Sequence, residues 1–159
     1  MRTEAFTLIE LIVAAALLSL LASYAIPSFR NFAQNNQLAA CANKLVASIQ
    51  MARSESVSRR LLVSVMPLAD ANRLGWDVTA IDGTLLERLE CSGAGVDVDY
   101  APALGGGAGG GIAFAPSGFR AVPAQVLNVT FCHEGSKGRR VTVSSAGSVS
   151  TESLENCTP

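Results

Sequence analysis

The N-terminal apolar stretch constrains this chain more than any other feature. Between Phe6 and Phe29 the sequence reads FTLIELIVAAALLSLLASYAIPSF, and from Leu11 onward this stretch contains no charged residue. It is about as long as a helix that crosses a bilayer. A secretory signal peptide would instead have a shorter apolar core followed by a small-residue cleavage site. The stretch therefore predicts a membrane helix rather than a signal peptide.

The few residues before this stretch carry a cation. The leader MRTEA contains Arg2, and positive charge on the short side of a membrane helix favours a cytoplasmic location for that side. We therefore expect a single-pass protein whose N-terminus is cytoplasmic, whose first partner is membrane lipid, and whose remaining residues lie outside the cytoplasm. The formal net charge of −1 gives no overall attraction to nucleic acid or to an acidic partner.

A second helical pattern continues beyond the apolar stretch. Apolar or small residues recur there at steps of three or four, with polar residues between them, as on an amphipathic helix. They are Leu38, Cys41, Leu45, Ile49, Ala52 and Ser56. Pro27 removes a backbone donor inside the predicted helix, so we expect a kink or a local loss of helix there. The sequence thus predicts one long kinked helix with a membrane half, residues 6–29, and an amphipathic half, residues 30–60.

Residues 61–159 change to the two-residue alternation that is typical of strands. The alternation is clearest at 61–66 and 140–144. Further strand candidates are 76–81, 85–89, 111–115, 125–132 and 148–151. The glycine-rich segment APALGGGAGGG, residues 101–111, is expected to be a flexible surface loop. Together these patterns predict an α+β fold, in which the amphipathic half of the helix packs on a mostly antiparallel β-sheet head.

The cysteines suit an oxidising compartment. There are four, Cys41, Cys91, Cys132 and Cys157, and they are widely spaced without a C-x-x-C pair. Two disulfides are therefore the simplest assignment. Of the three pairings available we favour Cys41 with Cys91, which would join the helix to the head. The other bridge, Cys132 with Cys157, would then hold the C-terminal tail.

The sequence contains no pattern that supports catalysis or metal binding. Nucleophilic catalysis needs a base beside a Ser or Cys, and the only histidine is His133, next to a cysteine that we assign to a disulfide. A zinc site would need closely spaced ligand pairs. P-loop, H-E-x-x-H and EF-hand patterns do not occur. We therefore expect a protein that is not an enzyme and that holds no metal or cofactor.

Several motifs resemble those of one protein family. FTLIEL at 6–11, directly after a short polar leader, resembles the processing and assembly signature of type IV pilins and type II secretion pseudopilins. NKLVASIQMARSESVSRR at 43–60, the strand around Trp76 and IAFAPSGF at 112–119 resemble the minor pilins and pseudopilins called GspH, FimT or FimU, most of all a FimU-like minor pilin.

The resemblance implies processing of the N-terminus. Residues 1–5 would be a prepilin leader, which the prepilin peptidase removes between Ala5 and Phe6 before it N-methylates Phe6. The family nearly always has Gly immediately before the mature Phe, whereas this chain has Ala5. Ala has the next smallest side chain, so we still expect cleavage.

Glu10 is the one carboxylate in the apolar stretch. An ionised carboxylate in an apolar environment is costly unless it is paired. One interpretation places Glu10 at headgroup level, where water solvates it. The resemblance implies another, which we favour: in pilins the matching glutamate pairs with the N-terminal amine of an adjacent subunit, here that of Phe6. The residues Leu8, Ile9 and 11–21 would then form the filament core.

The same resemblance implies a structural role. We expect a minor pilin of a type IV pilus, held in the inner membrane with a periplasmic head until it enters the filament. It would prime assembly and link other minor pilins to the major pilin. Its partners would be those pilins, the prepilin peptidase and the inner-membrane assembly platform. An H-type pseudopilin of a type II secretion system shares the N-terminal signature, and this alternative stays open.

A small basic cluster raises one more alternative. The segment KGRR places Lys137, Arg139 and Arg140 between two strand candidates, where they could contact phosphates. A minor pilin that binds DNA for uptake is therefore the second interpretation. A solvated turn whose charges protect a strand edge is the simpler one, and we favour it.

Overall fold

The computed structural model describes residues 7–68, 74–91, 95–101, 111–122, 125–133, 137–155 and 157. They form one helix, α1 (Leu8–Arg59), followed by nine strands. The strands are β1 (Val63–Pro67), β2 (Leu74–Ala80), β3 (Leu85–Cys91), β4 (Val96–Ala101), β5 (Ile112–Phe114), β6 (Arg120–Val122), β7 (Leu127–His133), β8 (Gly138–Val143) and β9 (Val149–Leu154). The chain divides into two compact units, Met1–Gln34 and Asn35–Pro159.

The N-terminal unit contains the first part of α1. Its large apolar side chains are exposed, and they include Leu8, Ile9, Leu11, Ile12, Val13, Leu17, Leu18, Leu20, Leu21, Ile26 and Phe29. α1 is long and apolar enough here to cross a membrane. The helix continues through Pro27, so of the two outcomes that we expected at this residue the local loss of helix does not occur, and the kink stays a prediction.

The head unit begins with the second part of α1, which buries one face. Its buried residues are Leu38, Cys41, Ala42, Leu45, Ser48, Ile49, Ala52 and Ser56. All six residues of the predicted amphipathic face are among them, because steps of three and four bring side chains to the same side of a helix. Helix α1 ends at Arg59, and Arg60 takes a left-handed backbone conformation with a φ of 55°. Such a conformation is common just after a helix and turns the chain into β1.

Two antiparallel sheets form the rest of the head. The first has five strands in the order β3-β2-β1-β5-β6, and the second has four in the order β4-β7-β8-β9. Buried side chains from α1 and from both sheets form one core cluster. The predicted α+β class, a long helix packed on antiparallel β-structure, is therefore confirmed. Most of the segment 101–111, where we expected a flexible loop, lies outside the described residues.

The centre of the core is aromatic. Trp76 of β2 and Phe131 of β7 are both buried, with ring centroids 5.8 Å apart in an edge-to-face arrangement. The Nε1 of Trp76 donates a hydrogen bond of 3.3 Å to the hydroxyl of Tyr100 in β4. An edge-to-face pair and a satisfied indole N–H are the usual solutions for buried aromatic residues. These three side chains connect the two sheets.

Two disulfides cross-link the head. Cys41 of α1 is joined to Cys91 of β3, with 5.4 Å between their Cα atoms, so the helix is fastened to the five-stranded sheet. In the four-stranded sheet, Cys132 of β7 is joined to Cys157, with a Cα separation of 5.5 Å. No free cysteine remains. One disulfide thus attaches the helix to the five-stranded sheet, and the other attaches the C-terminal tail to the four-stranded sheet.

Because of Tyr100, the stability of the core is expected to depend on pH in the alkaline range. Burial raises the pKa of its hydroxyl above the usual value of 10.0, while the hydrogen bond from Trp76 lowers this pKa by a smaller amount. A group with a raised pKa in the folded state contributes stability that is present below its unfolded pKa and lost as pH rises through the folded pKa. We therefore expect the free energy of unfolding to fall above pH 10.

Tyr100→Phe tests this expectation. At neutral pH the variant loses about 1 kcal/mol of unfolding free energy, because the buried Nε1 of Trp76 loses its acceptor. Above pH 10 only the wild-type protein loses the tyrosine contribution, so the two stability curves converge. Urea unfolding followed by the fluorescence of Trp76, the single tryptophan, measures both values. Tyr24→Phe removes an exposed hydroxyl and is the matched control. Parallel curves for Tyr100→Phe and wild type would contradict the prediction.

Candidate assembly site

The start of α1 is capped by two residues that exchange hydrogen bonds. Thr7 precedes the helix, and its backbone N–H donates a hydrogen bond of 3.0 Å to Oε2 of Glu10. In return, the backbone N–H of Glu10 donates to Oγ1 of Thr7 at 3.4 Å. This is a capping box, in which two residues spaced by three satisfy backbone donors that the helix itself leaves unpaired. Sequence reasoning overlooked Thr7, although the pattern Thr-x-x-Glu was visible in TLIE.

The capping box uses only one oxygen of the Glu10 carboxylate. The hydroxyl of Thr7 also donates to Oε2, at 3.1 Å, so both hydrogen bonds from Thr7 converge on the same atom. Within the described residues Oε1 makes no hydrogen bond or ion pair. Glu10 can therefore hold the start of its own helix and still offer an oxygen to a cation from another molecule.

The surroundings of Glu10 are apolar. Ile9, Val13, Ala14 and Leu17 line the same open groove as Glu10 on the surface of α1. Val13 and Ala14 lie one turn after Glu10 and Leu17 lies two turns after it, while Ile9 lies one turn before Val13, so all of them line the same side of the helix. A carboxylate on an exposed apolar face suits a contact with another apolar helix that brings one positive charge.

The residues of the predicted cleavage site precede the described part of the chain. Ala5 and Phe6, where we predict leader cleavage and N-methylation, lie outside the described residues. Thr7 is the first described residue, and it would be the second residue of the chain after the predicted cleavage between Ala5 and Phe6.

The basic cluster does not form one surface. Arg139 and Arg140 are consecutive in β8, so their side chains leave opposite faces of the sheet. Arg139 lies on the face that carries the buried Val141 and Val143, whereas Arg140 lies on the other face. The ammonium of Lys137 is 3.2 Å from the carboxylate of Glu155. Of the three cations that sequence proximity suggested as a phosphate site, Arg140 is therefore on a different face from Arg139, and Lys137 is paired with Glu155.

Acidic residues flank Arg140 on its own face. Arg140 is in register with Glu152 of β9 and with Thr130 of β7. Thr130 is in turn opposite Asp99 of β4. Two carboxylates thus share the cross-strand row of Arg140, and they offset its attraction to phosphate.

The other candidate groups do not form a reactive centre in the part of the chain that the structure describes. No three His, Cys, Asp or Glu side chains come together there as a metal site would require. The four cysteines are all in disulfides, so none is available as a thiol nucleophile.

The fold and the N-terminal site together define a class of protein, the pilin-like subunits, in which an exposed apolar helix precedes an α+β head. The chain matches the family described as Type II transport protein GspH over residues 42–147, and the prokaryotic N-terminal methylation motif over residues 1–26. It therefore belongs to the GspH family and carries the methylation motif of pilins. Members of this family are structural subunits, and the motif and helix fit a pilin that is anchored in a membrane and incorporated into a filament.

Solved structures agree with this assignment. The type IV minor pilin FimU of Pseudomonas aeruginosa, in its P21 crystal form, is 26% identical with a TM-score of 0.59, and the match covers 76% of this chain and 92% of FimU. In the P65 form the identity is 26% and the TM-score 0.55, over 72% of this chain and 92% of FimU. No curated protein matches the chain.

Proposed function

We propose that this chain is a noncatalytic minor pilin of a type IV pilus, which primes filament assembly and links other minor pilins to the major pilin. The observation that carries the proposal is Glu10, whose carboxylate lies on an exposed apolar helix face and keeps one oxygen unengaged within the described residues. The similarity of the head to FimU, which is a type IV minor pilin, supports the choice of filament.

The proposal includes the maturation of the N-terminus. The prepilin peptidase cleaves between Ala5 and Phe6 and methylates the new amine, and the membrane half of α1, up to Phe29, then passes from the inner membrane into the filament core. The α-amino group of Phe6 in one subunit is the cation that approaches Glu10 in another. Mass spectrometry of the mature chain should find methylated Phe6 as its first residue.

A gene deletion in the source organism tests the proposed role. We expect the deletion to reduce the number of surface filaments, because a priming subunit is needed before the major pilin can polymerise. We also expect the epitope-tagged chain, expressed from a plasmid, to restore the filaments and to co-purify with other minor pilins. Normal filament number in the deletion strain would contradict the proposal.

One second candidate follows from the family description. A GspH-type pseudopilin of a type II secretion system would have the same N-terminal site. The same deletion strain separates the two functions, because loss of type II substrates from the culture medium with unchanged filaments would indicate the pseudopilin. DNA binding is not proposed, since Arg139 and Arg140 lie on opposite faces and Lys137 is paired.

A further inference from the structure

A small cavity with mostly polar lining residues lies where α1 meets the end of the four-stranded sheet. Its volume is about 160 Å³, and it is lined by Asn35, Lys137, Gly138, Arg139 and Ser153. Typical sites for small-molecule ligands measure about 300–1,000 Å³, so this cavity suits a single functional group rather than a whole metabolite. All of its lining residues belong to the head unit.

The cavity is built by contacts around β8 and the C-terminal tail. Arg139 of β8 and Ser153 of β9 are direct cross-strand partners, so their side chains are neighbours on the inner face of the sheet. A Cβ on Gly138 would overlap Sγ of Cys157, which shows that the tail disulfide packs closely against this strand. The ion pair between Lys137 and Glu155 holds the tail at a second point. The pairing of β8 with β9 therefore positions two of the lining residues, Arg139 and Ser153.

Several polar groups in this cavity have no partner. Within the described residues, Arg139 and the hydroxyl of Ser153 make no hydrogen bond or ion pair. The side-chain amide nitrogen of Asn35 makes no hydrogen bond there either, and it can donate to a carboxylate, whereas the buried Oδ1 of Asn35 is an acceptor and cannot. A guanidinium, a hydroxyl and an amide can all donate hydrogen bonds. Arg139 is half-buried and Ser153 is exposed, so a partner can reach both of them, and a positive charge with further donors nearby suits a negatively charged acceptor.

We propose that this cavity binds one carboxylate group, and that the carboxylate is an acidic side chain of a neighbouring filament subunit. The planar guanidinium of Arg139 matches the two oxygens of a carboxylate, and it can donate two parallel hydrogen bonds. The hydroxyl of Ser153 and the side-chain amide nitrogen of Asn35 can donate further hydrogen bonds to the same carboxylate. The inference rests on the proposed function, because only assembly into a filament supplies a neighbouring subunit at high local concentration.

The first arm of the test measures carboxylate binding by the full chain in detergent micelles. Acetate is titrated while the backbone amide signals of Gly138, Arg139 and Ser153 are followed by NMR. We expect saturable shifts at these three amides, and an affinity at least about tenfold weaker in Arg139→Gln, as the loss of a charge-assisted hydrogen-bond pair predicts. Arg140→Gln removes the same charge from the opposite face and should bind acetate like the wild type. Absent shifts, or equal effects of the two variants, would overturn the proposal.

The second arm identifies the source of the carboxylate. Full-length Arg139→Gln and Arg140→Gln chains are expressed in the deletion strain, and their amounts in purified filaments are compared at equal membrane expression. We expect reduced incorporation of Arg139→Gln only. Acetate binding with normal incorporation of Arg139→Gln would overturn the neighbouring subunit as the source and indicate a free anion. A wild-type chain that never enters filaments would contradict the proposed function, whereas the acetate titration still tests the cavity by itself.

Discussion

Glu10→Ala lowers the amount of this chain in filaments by roughly tenfold or more, because losing about 1.4 kcal/mol of pairing energy already corresponds to a factor of ten. In an apolar surrounding the unpaired amine of the adjacent subunit adds a further cost. Quantitative immunoblots of sheared filaments against membrane fractions measure the effect. The head should remain folded in this variant, since Glu10 belongs to the other compact unit.

The capping box allows a sharper version of this experiment. Glu10→Gln removes the charge but keeps a side chain that can serve in a capping box. Thr7→Val has the opposite effect, because it removes the hydroxyl that accepts from Glu10 and leaves the carboxylate in place. If the charge pair drives docking, Glu10→Gln is incorporated into filaments as poorly as Glu10→Ala, and Thr7→Val is incorporated almost normally. Normal incorporation of Glu10→Gln would show that the residue matters for its helix and not for its neighbour.

The double variant Cys41→Ala, Cys91→Ala loses about 4 kcal/mol of unfolding free energy, which is the loop-closure value for a separation of 50 residues. This is a large share of the roughly 5–15 kcal/mol that stabilises a typical domain. The bridge has this effect because it joins the buried face of α1 to β3 across one third of the chain. Urea unfolding under non-reducing conditions, followed by the fluorescence of Trp76, measures the loss.

The second disulfide provides the matched comparison. Cys132→Ala with Cys157→Ala opens a loop of 25 residues, half the separation of the first bridge. Loop-closure entropy then predicts a loss that is smaller by about 0.6 kcal/mol. Equal stability of the first double variant and the wild type would show that helix packing alone holds α1 on the head.

The helix was predicted well because its signals are local. The spacing from Leu38 to Ser56 defines the buried face without reference to any other part of the chain. The strands were harder to predict, since β4 was overlooked although VDVDY, residues 96–100, alternates clearly. The three-residue strand β6 is too short to give a periodic signal. The division into two sheets depends on which strands pair, and alternation alone does not contain that information.

The functional residues were also predictable from sequence only where their signal is local. Glu10 was identified from sequence because a charge in an apolar run is conspicuous, and its partner Thr7 could have been identified from the capping pattern. The cavity at Arg139 could not have been found this way. Asn35 and Ser153 are more than one hundred positions apart, and only the packing of α1 against β8 and β9 brings them together. Sequence proximity instead suggested a cluster with Arg140, which the alternation of the strand divides.

That division in β8 also affects how the protein can evolve. Residues 139 and 140 are neighbours in the chain, yet their side chains face different surroundings, so a substitution at one position leaves the contacts on the other face in place. A substitution of the outer arginine changes surface charge without changing the lining of the cavity, whereas a substitution of the inner arginine changes that lining. A shift of β8 by one residue in its register would have a larger consequence, because it would exchange the two faces and turn the buried Val141 and Val143 away from the core.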